Sequence, residues 1–125
     1  MFYQNPTVLD SEKHQGYSLK SDVGFGFASG VNAVPVNLIE FPQVAHTYPI
    51  AFSNDGTATP VAILGARDNE NLFVNKKGQW EANIYIPAYV RRYHFIFTEM
   101  DEGKNLGLCI DPGKFPVEDA SNAFF

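Results

Sequence analysis

Trp80, Arg91, Arg92 and Tyr93, together with Tyr48, are the residues of this sequence whose types best suit recognition. A guanidinium beside aromatic faces holds a carboxylate or an aromatic ring through planar paired hydrogen bonds combined with stacking. These residues are therefore the candidate ligand- or partner-binding site. The simpler alternative is packing, with Trp80 and Tyr93 filling the core and the arginines covering its rim with their aliphatic stems.

Other chemistry finds less support. The 3 histidines, His14, His46 and His94, stand far apart, and with the single Cys109 they make no HExxH, CxxC or other short metal-ligand spacing. Ser11, Ser18, Ser21, Ser29, Ser53 and Ser121 include no G-x-S-x-G elbow. Cys109 sits in the apolar run Leu106-Gly107-Leu108-Cys109-Ile110 and reads as a small buried hydrophobe, since a reactive thiol wants cationic neighbours. Asp101 and Glu102 read as solvated loop residues. Gly24, Gly26 and Gly30 give the spacing G-x-G-x-x-x-G, which is not the dinucleotide fingerprint. Alternation with Phe25 and Phe27 suits a strand whose bare face passes close to another backbone. No catalytic residue, metal or cofactor is assigned, and the residues point away from an enzyme.

The elements that must position these side chains come from 125 residues, 45% hydrophobic, 14% aromatic and 18% charged. A chain of this length buries roughly two thirds of its extended surface and forms one domain without metal or disulfide staples. Nine Lys+Arg against 14 Asp+Glu leave a net charge of -5, and only Arg91-Arg92 and Lys76-Lys77 are adjacent cations, which excludes a basic stripe for nucleic acid. The segment Met1-Phe2-Tyr3-Gln4-Asn5-Pro6 lacks the pattern of a signal peptide. No window reaches the ~18 apolar residues of a membrane span, so no membrane insertion is expected. A cytoplasmic location is the default, with cell-surface association left open through export signals of other kinds.

Residues 1–16 are polar and predict an extended arm. Residues 17–111 carry the domain, and 112–125 form an irregular segment whose final Phe124-Phe125 suggests continuation into further chain. Strands are predicted at Tyr17-Ser18-Leu19, Ile50-Ala51-Phe52 and the doubly buried run Val61-Ala62-Ile63-Leu64. Leu72-Phe73-Val74 and Gln79-Trp80-Glu81 flank Asn75-Lys76-Lys77-Gly78 as a hairpin, and Phe95 to Met100 with Leu106 to Ile110 form another.

Two short helices are predicted. Leu38, Phe41, Ala45 and Tyr48 have helical spacing. Asn37 and Glu40 suit a capping box, but a start at Phe41 is preferred because it places Pro42 where its missing N–H costs nothing. The second helix opens at Pro87, carries Ile86, Tyr89, Val90 and Tyr93 on one side, and ends with Arg91 and Arg92 complementing its dipole. Hairpins interrupted by two short helices argue for an α+β fold with a mostly antiparallel sheet in a single domain.

The succession of short motifs resembles the SapC family. The resemblance runs from His14 and Tyr17-Ser18-Leu19-Lys20 through Val34-Pro35-Val36 with Glu40-Phe41, then Tyr48-Pro49-Ile50-Ala51-Phe52 and Pro60-Val61-Ala62-Ile63-Leu64-Gly65. It continues through Asn71-Leu72-Phe73-Val74, Gly78-Gln79-Trp80, the run from Ile86 to Phe95, and Leu108-Cys109-Ile110-Asp111. Members are bacterial, take their name from a surface layer, and are typically longer, with a charged and more helical C-terminal half that is missing here. The resemblance supplies no established catalytic residues. It implies a non-catalytic binding or assembly module with a protein or peptide partner, and it is compatible with homo-oligomerisation. The competing implication is an intracellular accessory protein of an amino-acid or peptide modification and uptake system, with a small-molecule pocket.

Overall fold

A computed structural model describes residues 2–16, 18 and 24–111. In chain order the described elements are β1 (Thr7–Val8), β2 (Ala33–Pro35), α1 (Phe41–Val44), β3 (Ile50–Phe52), β4 (Pro60–Ile63), α2 (Ala88–Arg91), β5 (Phe95–Met100) and β6 (Asn105–Ile110). 3-10 turns cover Gly26–Ala28 and Leu38–Glu40. The α+β class holds, and among the described residues every strand pairing is antiparallel. The strands are divided between two three-stranded sheets, ordered β1-β6-β5 and β2-β4-β3. The chain correspondingly forms two compact units, the first from Met1–Val23 with Arg92–Phe125 and the second from Gly24–Arg91. The predicted strand at Tyr17-Ser18-Leu19, apart from Ser18, and the segment 112–125 lie outside the described residues.

In the first unit the predicted β5–β6 hairpin forms, in a register running from Phe95↔Ile110 to Met100↔Asn105. Its turn is tight because Asp101, Glu102 and Gly103 take φ of 51°, 57° and 84°. Within the segment read as an arm, Thr7 and Val8 pair with Ile110 and Cys109. The buried Asp111 reinforces that pairing, its Oδ2 accepting the N–H of Gln4 at 2.5 Å and of Asn5 at 3.3 Å. Cys109 is buried as expected, with Sγ 3.1 Å from Thr98 Oγ1.

In the second unit the apolar run forms the central strand β4, with Ala62 and the following Leu64 fully inside but Val61 and Ile63 only half-buried, a correction to the expected burial on both faces. Its partner β2 had no sequence signal, since three residues ending in Pro35 are too few for an alternation to show. The two helix starts that the sequence poses as alternatives occur in succession. Asn37 and Glu40 close a capping box on the 3-10 turn, and α1 then begins at Phe41 with Pro42 in its first turn. Tyr48 N–H still donates to Val44 O at 2.8 Å before the chain hands over to β3. In α2, Arg91 closes the helix and Arg92 falls in the turn beyond it, a correction to the predicted last turn.

The glycine–phenylalanine segment is a second correction: no strand forms, and Gly26–Ala28 is a 3-10 turn. The close backbone approach expected there is nevertheless present, because a Cβ on Gly24 would lie 2.9 Å from Gly78 O. Phe25 N–H donates to that same oxygen at 2.7 Å, one bond where a strand would need a ladder. The hairpin expected at 72–81 contracts to a Val74↔Trp80 bridge, flanked by Asn75 N–H to Gln79 O at 3.0 Å and Glu81 N–H to Phe73 O at 2.8 Å.

Gly65, just past β4, is buried against backbone, where an added Cβ would meet Glu70 O and lie 2.8 Å from Glu70 C. Backbone cannot swing aside as a side chain can. Gly65→Ala is expected to destabilise the chain by about 3 kcal/mol, the upper end for overpacking. Gly30→Ala, with nothing within 4 Å of its Cβ, should stay within about 0.5 kcal/mol of the parent. Urea midpoints at constant slope measure both, and equal midpoints for the two variants would refute the clash.

Candidate functional site

Glu40, the last residue of the 3-10 turn before α1, has a buried side chain. Its Oε1 accepts the Tyr85 hydroxyl at 2.7 Å and the Ala88 N–H at 2.8 Å, while Oε2 accepts the Asn37 N–H at 3.0 Å. Burial pushes this carboxyl up, but the N–H groups of Asn37 and Ala88, the Tyr85 hydroxyl and the Arg91 charge outweigh it. The net effect holds the group below the usual glutamate range. Ala88 opens α2, so one carboxylate ties the 3-10 turn to that helix and anchors Tyr85.

Arg91 completes the arrangement from the outside. Its Nε donates to Ile86 O at 2.9 Å and its Nη2 to the Tyr85 hydroxyl at 3.1 Å, with the guanidinium carbon 5.3 Å from the Tyr85 ring centroid. Burial raises the Tyr85 phenol above its ordinary value, and donation to Glu40 raises it further, because ionisation would forfeit that bond. Arg91 is exposed, and its hydrogen-bond partners among the described residues are neutral oxygens. The guanidinium is thus oriented by neutral oxygens with the Glu40 carboxylate one hydroxyl away, and with two of its five N–H donors used it retains others for an incoming carboxylate.

Tyr48 and Trp80 lie behind this rim, only 2% and 8% exposed. Trp80 Nε1–H donates to the Tyr48 hydroxyl at 3.0 Å, which in turn donates to Tyr85 O at 2.6 Å. Phe73 stacks on Trp80 at 6.2 Å and meets the Tyr48 ring edge-on at 4.7 Å, while Phe25 approaches Trp80 edge-on at 5.8 Å. Burial, opposed by the Trp80 bond and assisted by the Glu81 charge, pushes the Tyr48 phenol up to about 12, so it stays protonated at neutral pH. The polar atoms of these two buried residues serve each other and the Tyr85 backbone.

The remaining candidates belong to the first unit. The Arg92 guanidinium carbon lies 5.8 Å from the Tyr3 ring centroid, and Tyr93 meets Phe2 and Tyr3 edge-on at 5.5 and 5.2 Å. The structure therefore joins Tyr48, Trp80 and Arg91 through Tyr85, and it places Arg92 and Tyr93 with Phe2 and Tyr3 in the first unit. His14 is buried and its Nδ1 accepts the Asp10 N–H at 2.9 Å, His46 is exposed, and His94 is buried, with burial lowering its pKa against the opposing influence of Asp111. Among the described residues no group of three or more His, Cys, Asp or Glu could hold a metal ion, and no helix is long and apolar enough to cross a membrane.

Sequence reasoning missed Tyr85 and the second role of Glu40. The Asn37–Glu40 capping signal located the carboxylate, but a cap explains only its bond to Asn37. Tyr85 stands six residues before Arg91, off the spacing at which helical neighbours meet, and no periodicity points to it.

Neither the curated proteins nor the solved structures contain a match to this chain. The family model SapC matches residues 9–125, which takes in the whole Glu40–Tyr85–Arg91 arrangement, and the chain belongs to the SapC family.

Proposed function

We propose that this SapC chain is a non-catalytic binding module that holds a protein or peptide partner at the rim formed by Tyr85 and Arg91. The observation that carries the reading is the exposed Arg91 guanidinium, held over the Tyr85 ring by Ile86 O and the Tyr85 hydroxyl with N–H donors to spare. Glu40 already accepts three donors and keeps its proton off, which suits a fixed anchor better than a group that exchanges protons during turnover. Tyr48 and Trp80 contribute rigidity behind the rim. An assembly role of this kind is consistent with the surface-layer origin of the family name.

The test is Arg91→Ala in the native cell, reading partner yield per folded molecule by quantitative affinity capture. Loss of charge-assisted contacts predicts about a tenfold lower yield, while an exposed arginine predicts a stability change under about 1 kcal/mol. Arg92→Ala, made separately, asks whether the first unit's cluster contributes. Unchanged partner yield in Arg91→Ala would make this arginine scaffold and end the proposal.

A further inference from the structure

Among the described strands β5 is the outer one of its sheet, with β6 on one side only. Two observations fix which of its backbone groups face the open side. Asp111 N–H donates to His94 O at 2.8 Å, and Leu108, which lies opposite Phe97, gives its carbonyl to Leu9 N–H at 2.9 Å on the side of β1. In an antiparallel ladder bonded and unbonded pairs alternate, so Ile96, Thr98 and Met100 bond to β6 while Phe95, Phe97 and Glu99 point their N–H and C=O away from it. Phe95 is served there, its N–H by Arg92 O at 2.8 Å and its carbonyl by the Tyr3 hydroxyl at 2.6 Å. The backbone groups of Phe97 and Glu99 have no such partner among the described residues.

The same register says which side chains flank that edge. Phe97 stands opposite Leu108 and Glu99 opposite Leu106, so the four share one face of the hairpin, where Phe97, Leu106 and Leu108 are 64%, 68% and 37% exposed. Neither a proline nor a bulge blunts the strand, since its pairing with β6 runs unbroken from Phe95 to Met100. Glu99 is its one charge. That carboxylate is exposed and forms no ion pair among the described residues, Lys104 of the adjoining turn included. The end of the hairpin sets Glu99, Asp101 and Glu102, all exposed, against Lys104 alone, on a chain of net charge -5, so a basic segment is drawn to it. A second copy brings the same -5, and its β5 has no Lys or Arg to set against Glu99.

We infer that the open edge of β5 takes an antiparallel strand of a partner protein, bonded to the backbone of Phe97 and Glu99, with a β-branched side chain opposite Phe97 and a Lys or Arg two residues earlier opposite Glu99. The surface belongs to the first unit and stands independently of the Arg91 reading. The experiment titrates the 15N-labelled full chain with an N-acetylated, C-amidated peptide Thr-Lys-Thr-Val-Thr and follows amide shifts. Saturable shifts are expected at Phe97 and Glu99. Exchanging the peptide's Lys for Glu should weaken binding about tenfold, and Glu99→Lys should reverse that preference. Methylating the backbone nitrogen of the peptide's Val removes the donor to Phe97 O and should also weaken binding about tenfold, which separates strand addition from attraction between charges. The peptide exchanges leave the protein unaltered, so they test the inference even if Glu99→Lys folds poorly.

Three results would overturn the inference: no saturable shift at about 5 mM peptide, a range that detects even millimolar affinity; equal binding of the Glu peptide or of the N-methyl peptide; or shifts confined to residues outside β5. Shifts at Phe97 and Glu99 that grow with protein concentration alone would also overturn it, by giving the edge to a second copy. The peptide titration and the partner yield of Arg91→Ala are separate readouts, so either reading can fall while the other stands.

Discussion

Glu40→Ala is expected to destabilise the chain by about 3 kcal/mol, because it strips the acceptor from two backbone N–H groups and one phenol at once. Water reaches part of the site and replaces some of those bonds, which keeps the loss below the sum of three fully buried ones. Glu40→Gln is the sharper probe. It preserves the shape but supplies one acceptor oxygen and one NH2 group, so a donor must face a donor. A loss of about 2 kcal/mol is expected at neutral pH.

The pH dependence has a definite sign. Glu40 has a folded pKa below its ordinary 4.5, so its stabilisation is fully present above that value and is lost as the pH falls through the lower folded one. The stability gap between parent and Glu40→Gln should therefore be constant from neutral pH down to about 5 and narrow below 4.5. Urea unfolding of both proteins across that range measures it. A gap that stays the same in acid would mean that the carboxylate's charge contributes nothing, and that the Tyr85–Arg91 rim is held by packing alone.

How far sequence reasoning reached depended on whether the governing contact was local. The β5–β6 hairpin, the strand β3 and the Pro42-led helix were readable because turn residues, apolar runs and proline constraints act over a few residues. The run 61–64 was readable for the same reason, since a short apolar stretch between Pro60 and Gly65 has few alternatives. The Gly24–Ala28 segment went the other way. Its glycine signal was correctly taken as a close approach, but the partner was a single carbonyl of the Gly78 turn, so no ladder formed and the chain curled into a 3-10 turn. At the candidate site, residue type singled out Arg91, Tyr48 and Trp80, and only three-dimensional placement could separate rim from interior. Tyr85 connects them with its carbonyl on one side and its hydroxyl on the other, and a backbone carbonyl has no signature in side-chain identity.

That separation of rim from interior makes Trp80 the most informative residue to change. Trp80→Ala is expected to cost about 3–5 kcal/mol, the range for removing a large buried aromatic, because Phe73 loses its stacking partner and Phe25 its edge contact. Trp80→Phe keeps most of that volume and removes the Nε1–H bond to the Tyr48 hydroxyl. It should cost far less than Trp80→Ala, near 1–2 kcal/mol, since the hydroxyl retains its bond to Tyr85 O. Far-ultraviolet circular dichroism during urea unfolding is the suitable readout, because the chain has 1 Trp and either variant abolishes its fluorescence signal. The two roles of Trp80 differ in what happens to binding. An interior support predicts that Trp80→Phe binds its partner normally per folded molecule, with the loss confined to the unfolding midpoint. A ligand-contacting indole predicts the reverse, a stable protein with weakened binding, and that result would return Trp80 to the recognition surface and displace Arg91 from its centre.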